Sequence, residues 1–243
     1  VIHHEQRGAV ALVTIDRPER RNAVDRDALE GLNAAIAAAS ANADTRVFIL
    51  TGANGHFCAG ADLTGLEDES FAATLRVVLQ GLHDASFPTI AAVDGAALGA
   101  GTQLAIACDL RVCTPEARFG IPAAKLGLMV DHWTVQRLAL LAGHGPARAM
   151  LLAAEVLNGD DAVRLGLAQR AGDLEAALAW AGEIAALAPL TIQGHKIALN
   201  RLEADLGTDP AVSEAFKRAW ASADLREGLA AFHERRSPAF RGE

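Results

Sequence analysis

The chain has 243 residues, 51% of them hydrophobic, and a formal net charge of -8. That length makes one large domain or two small ones, and the apolar content fills a sizeable core, much of it alanine that favours closely packed helices. The acidic balance argues against a general nucleic-acid binder and leaves room for a local basic patch that meets an anionic ligand.

Val10 to Ile15 predicts a first strand, ended by Pro18 and the charged run Glu19-Arg20-Arg21. Asp25 is an N-cap for a helix with Leu29, Leu32 and Ile36 on one face. Val47 to Thr51 reads as a buried strand. Phe71, Leu75, Val78, Leu79 and Leu82 mark an amphipathic helix closed before Pro88. Thr89 to Val93 is another strand, a short helix follows Gly101, and Leu110 to Cys113 is a further short strand. From His132 onward the pattern is helical almost throughout, with Glu203 to Pro210 as the candidate loop. Strands alternating with helices, followed by a helix-rich second half, predict an α/β fold with parallel strands.

The three cysteines, Cys58, Cys108 and Cys113, are odd in number and lack metal-ligand spacing. They predict a reduced, cytoplasmic chain with no metal site. The N-terminus has no basic region followed by an apolar stretch, which predicts no signal peptide. The most apolar long segment, Thr89 to Leu110, carries Asp94, Gln103 and Asp109 and reads as a buried strand–turn–helix rather than a membrane span.

Two glycine-rich turns stand about forty residues apart. The first reads Phe57-Cys58-Ala59-Gly60-Ala61-Asp62-Leu63, the second Asp94-Gly95-Ala96-Ala97-Leu98-Gly99-Ala100-Gly101. Each follows a β-branched run. Small residues let backbone approach a ligand, and N–H groups at a turn or helix start can point at developing negative charge. Two such turns aimed at one oxygen make an oxyanion hole.

These residues carry a resemblance to the crotonase superfamily, the enoyl-CoA hydratase/isomerase group. It runs through Asp16-Arg17-Pro18 to Asn22-Ala23, Phe57 to Asp62, Ala91 to Gly101, Cys108-Asp109 and Phe119-Gly120-Ile121-Pro122. It ends in Glu227-Gly228, Ala231-Phe232 and Pro238-Ala239-Phe240. The resemblance implies a spiral of ββα turns over residues 1–188 and a helical C-terminal oligomerisation region over 189–243, assembled as a homotrimer or a hexamer. It implies a role in fatty-acid and acyl-CoA metabolism. Coenzyme A enters as part of the thioester substrate, with no separately bound cofactor.

By motif, the oxyanion donors are the N–H groups of Ala61 and Ala100. Charge moves onto the thioester oxygen when a Cα proton leaves or a nucleophile adds at Cβ, and one fixed donor is typically worth about 2.7–4 kcal/mol of barrier. Hydratases of the family hold a water between two glutamates. Here those positions are Gln103 and Ala123. Glutamine holds a water but does not take its proton, and alanine does neither, so hydration by the usual pair is not expected.

Asp131, eight residues after Ala123, matches an aspartate used by some relatives in proton transfer or as a nucleophile. The same residue precedes an apolar-periodic helix (Val135, Leu138, Leu141), where capping aspartates sit. The two roles stay open. His132 reads as a first-turn surface or interface residue and His56 as part of a solvated loop. Trp133 is open between lining the acyl pocket and packing in the core. Leu63, Leu66, Phe71 and Leu75 border the acyl site. Relatives hold the CoA nucleotide end near Arg20, Arg21 and Ala23, contact pantetheine and adenine around Ala59 and Gly60, and cap the adenine of a neighbouring subunit with residues matching Phe232 and Arg235. Asp62 is taken as structural. The alternative reading is a non-catalytic acyl-CoA carrier or sensor on the same scaffold.

Overall fold

A computed structural model describes residues 1–62, 69–204 and 210–241. β1 (Ile2–Arg7) pairs antiparallel with β2 (Val10–Ile15), which pairs in parallel with β3 (Val47–Gly52). The parallel ladder continues through β4 (Thr89–Val93), β6 (Leu110–Cys113) and β9 (Arg170–Ala171), in the order β1-β2-β3-β4-β6-β9. A smaller sheet joins β5 (Ala96–Leu98), β7 (Arg118–Gly120) and β8 (Val156–Asn158).

The central strands β2, β3, β4 and β6 of the larger sheet are buried on both faces, and side-chain alternation divides their residues between two layers. Ala11, Val13, Phe48, Leu50, Ala91 and Val93 face a core shared with α1 (Arg26–Ala41), α2 (Glu69–Asp84) and α3 (Ala100–Ala107). Leu12, Ile49, Ile90 and Ala92 face Ala177 and Ala181 of α7 (Leu174–Ala185). Asp25 caps α1 as its sequence position predicts, accepting from Ala28 N at 2.8 Å. The strand pairs β4–β5 and β6–β7 give the spiral its turns. α3 follows the first pair, and α4 (His132–Ala142) with α5 (His144–Leu152) follows the second, before α6 (Gly159–Arg164) leads into β9. A 3-10 turn at Pro122–Leu126 links β7 to the segment before α4. No single helix among the described residues is long and apolar enough to cross a membrane.

The last helices are α8 (Pro189–Ala204), α9 (Pro210–Trp220) and α10 (Ala223–Glu234). The loop expected over residues 203–210 is therefore helical at both ends, and its centre, 205–209, lies outside the described residues. α8 is anchored by Lys196, whose Nζ lies 2.7 Å from Asp109 Oδ2 and donates to Phe87 O at 3.0 Å. Asn200 adds a bond to His83 O at 3.0 Å. α10 returns to the spiral, where Gly228 packs on the 3-10 turn so closely that a Cβ there would stand 2.4 Å from Leu126 O.

Asp109 also accepts from Thr89 N and Thr89 Oγ1, so one carboxylate ties β4, the end of α3 and α8 together. Replacing it leaves the Lys196 ammonium buried without its counter-ion. Asp109→Ala is expected to lower the unfolding free energy by about 3 kcal/mol, the usual cost of removing one partner of a buried pair, as read from the urea midpoint.

Candidate functional site

The two glycine-rich turns leave the adjacent strands β3 and β4 and are stitched to each other. Phe57 N donates to Asp94 O and Cys58 N to Ala96 O, both at 2.8 Å, and Leu98 N returns to Cys58 O at 3.0 Å. The His56 ring, expected in a solvated loop, joins this seam, its Nδ1 accepting from Ala96 N at 3.3 Å. Close approach requires glycine at two points. Gly101 passes Cys58 with no room for a side chain, since a Cβ would fall 2.0 Å from Cys58 O. Gly60 adopts φ +125, and a Cβ there would stand 3.1 Å from Leu98 O.

A third strand of backbone lies along the first turn. Ala59 N donates to Arg21 O, Val24 N to Gly60 O and Asp62 N to Val24 O, at 2.8–3.0 Å. Buried Asn22 fixes that segment by donating from Nδ2 to Ala53 O and His56 O. Ala61 N sits between these bonds and, among the described residues, donates to nothing. Ala100 is the first residue of α3, after Gly99 at φ +54. Its N–H is one of the helix-start groups that have no intrahelical acceptor, and it too donates to nothing among the described residues.

Both alanines line a cavity of about 1020 Å³, a volume at the upper end of small-molecule sites. Its walls are largely apolar: Phe71, Leu75 and Leu79 of α2, Ile121 after β7, and Phe216 and Trp220 of α9. Trp220 Nε1 donates to Met129 O at 2.9 Å, which pins α9 across the cavity. Of the residues singled out in the sequence, Arg20, Ala23, Ala59, Gly60, Ala61, Ala100, Gln103, Ala123, Asp131 and Phe232 border this space.

Trp133, Arg21 and Arg235 lie elsewhere. Trp133 packs on the core and meets the His83 ring edge-on at 5.8 Å, away from the cavity lining. Arg21 contributes its carbonyl to the Ala59 bond while its side chain is exposed, and Arg235 ends α10 in the left-handed region outside the lining. Leu63 and Leu66 lie outside the described residues. His132, expected at the surface, borders the cavity.

Asp131 caps α4 and also borders the cavity. Oδ1 caps α4 by accepting from Thr134 N at 3.0 Å, and Oδ2 lies 3.0 Å from Arg76 Nη1. Arg76 is a cavity residue that sequence reasoning missed, because a lone arginine on an amphipathic helix looks like part of the solvated face. Asp62 is the other carboxylate in the lining among the described residues. It sits 3.4 Å from Arg17 and 4.0 Å from Arg20. The Cys58 thiol is buried beside the first turn, and desolvation pushes it up to about 12. It is neutral near pH 7 and serves as a small hydrophobe.

Gly101→Ala is expected to push the second turn off Cys58 O, destabilising the fold by about 1–3 kcal/mol or more and separating the two free N–H groups. Thermal unfolding and calorimetric titration of butyryl-CoA check both effects.

The enoyl-CoA hydratase/isomerase family profile matches residues 5–243. A probable enoyl-CoA hydratase of Mycobacterium tuberculosis is 47% identical over 241 residues, covering 98% of each chain. The short-chain-enoyl-CoA hydratase of Clostridium acetobutylicum is 34% identical over 245 residues, 96% of this chain and 94% of that protein. The crystal structure of an enoyl-CoA hydratase from Mycobacterium avium subsp. paratuberculosis superposes with a TM-score of 0.88 at 25% identity, over 99% of this chain and 98% of that one. Agreement in sequence and in backbone along the whole length makes this chain a member of the enoyl-CoA hydratase/isomerase family, within the crotonase superfamily.

Proposed function

We propose that the chain binds acyl-CoA thioesters in this cavity and stabilises the thioester enolate there, as part of fatty-acid and acyl-CoA metabolism. The observation that carries the reading is the pair of N–H groups, on Ala61 and Ala100, that donate to nothing among the described residues while bordering one apolar cavity. Donors already in place need no reorganisation when the carbonyl gains charge, which is where such sites obtain most of their effect. Arg20 and the backbone of Ala23 and Ala59, which border the cavity, are the groups for the nucleotide end, with Phe232 for the adenine of a neighbouring subunit.

Proton transfer falls to Asp131. Gln103 and Ala123 occupy the positions where a hydratase of the family holds its water, so water addition is not supported. Both oxygens of Asp131 are engaged, one by the α4 cap and one by Arg76. The Arg76 contact stabilises the ionised form that a base needs, while an ionised carboxylate keeps further lone pairs for a proton. That same engagement favours a second reading, a carrier or sensor that binds acyl-CoA without turning it over. Either reading takes the protein as a cytoplasmic homotrimer or hexamer. The free state of all three cysteines supports the reducing compartment. Apolar side chains left exposed on α8, Leu190, Ile197 and Leu199, support the assembly.

Saturated and unsaturated acyl-CoAs incubated with the protein in heavy water separate these outcomes by mass spectrometry. Saturable binding with Cα exchange above a protein-free control, reduced about a hundredfold in Asp131→Asn, is the expected result. Exchange that survives in Asp131→Asn removes that residue from the chemistry. Binding without exchange selects the carrier reading, and absence of binding overturns both.

A further inference from the structure

Gln103 on α3 and Thr134 on α4 meet at the wall of the cavity. Thr134 is fully buried, and its hydroxyl donates to Gln103 Oε1 at 3.2 Å. Among the described residues that oxygen is the one acceptor the hydroxyl has. Turning the Gln103 amide over would face the hydroxyl with an NH2 group and leave a buried O–H without an acceptor, which is expensive. Thr134 is itself held, because its backbone N–H is the group that Asp131 caps. The amide is therefore fixed with its oxygen toward Thr134, and Nε2 is the group it has left to offer a ligand in the cavity.

Gln103 stands one helical turn after Ala100, on the same face. Helical side chains lean toward the N-terminus, which carries Nε2 back toward the free Ala100 N–H. An acyl thioester whose carbonyl oxygen rests on that N–H places its C2 and C3 in the same neighbourhood. There the site presents an NH2 donor, and Ala123 adds no polar atom. A donor at that position is satisfied by an oxygen on the acyl chain and is left unpaired by a plain hydrocarbon chain.

We propose that this cavity selects acyl-CoA thioesters that carry a carbonyl or carboxylate oxygen on C3, and that Gln103 Nε2 donates to that oxygen. The inference rests on the acyl-CoA reading above. In a 3-oxo ligand the C2 anion spreads charge over the thioester oxygen and the C3 oxygen. The backbone pair holds the first and Gln103 holds the second. Gln103 is then a specificity-determining residue, and Thr134 a positioning residue that acts through it.

The test is calorimetric titration of the full chain with butyryl-CoA, acetoacetyl-CoA and malonyl-CoA. The wild type is expected to bind acetoacetyl-CoA or malonyl-CoA about tenfold more tightly than butyryl-CoA, equivalent to about 1.4 kcal/mol. The stronger of the two identifies the C3 carbonyl or the carboxylate as the oxygen recognised. Gln103→Met is expected to bring that ratio below about threefold, and Thr134→Val, which frees the amide to turn, to lower it as well. Equal affinities in the wild type, or a ratio that survives in Gln103→Met, overturn the proposal. If Gln103→Met does not fold, the Thr134→Val ratio decides. Failure of all three ligands to bind overturns the acyl-CoA reading itself, a result distinct from binding without preference.

Discussion

The seam between Phe57–Cys58 and Asp94–Leu98 is the constraint on which the rest of the molecule depends. Neither turn makes a site alone. Three backbone hydrogen bonds and the missing side chain of Gly101 set the spacing between them, and two N–H groups can serve one oxygen only when that spacing is fixed. The parallel register of β3 and β4, with Leu50 beside Ala91, delivers both turns to the same end of the sheet. Ligands of open parallel sheets gather at that end for the same topological reason.

Behind the second turn, α3 is almost wholly buried, and its two ends are treated very differently. The first faces the cavity with an N–H to spare. At the other, Arg111 donates to Ala105 O and Cys108 O, and Arg137 donates to Ile106 O. Burial, reinforced by neighbouring Arg137, pushes Arg111 down to about 10, so its guanidinium stays charged at neutral pH. Cations at a helix C-terminus complement its dipole. α3 is thus fixed at its carboxyl end while its amino end remains available. Among the described residues, both carboxylates that line the cavity, Asp62 and Asp131, are ion-paired.

What the sequence reveals follows from how each element is buried. β2, β3 and β4 are legible because both faces are covered, which leaves continuous apolar runs. β1 is not, because Ile2–Arg7 is an edge strand whose exposed positions carry His3, His4, Glu5 and Gln6. β5, β7 and β8 have three residues each, too few to show a period. In the site, Ala61 and Ala100 have no side-chain signal at all, since their contribution is backbone, and only the order of the motifs points to them. Asp131 reads as a helix cap from its place before an apolar-periodic helix, and the structure shows that cap, while its contact with Arg76, fifty-five positions away, has no local signal. The orientation of Gln103 depends on Thr134, thirty-one positions away, and no local pattern carries that pairing.

α9 and α10 belong to the same chain as the turns they cover, and Trp220 and Gly228 hold them against the segment around Leu126 and Met129. The cavity wall is therefore built in part by helices near the end of the described chain. Occupancy and tail docking become reciprocal. A molecule that needs the closed wall raises the free energy required to peel the tail away, and a change that loosens the tail weakens that molecule's hold by the same amount. Residues far from the thioester, on the outer helices, thereby acquire leverage over how long a guest stays.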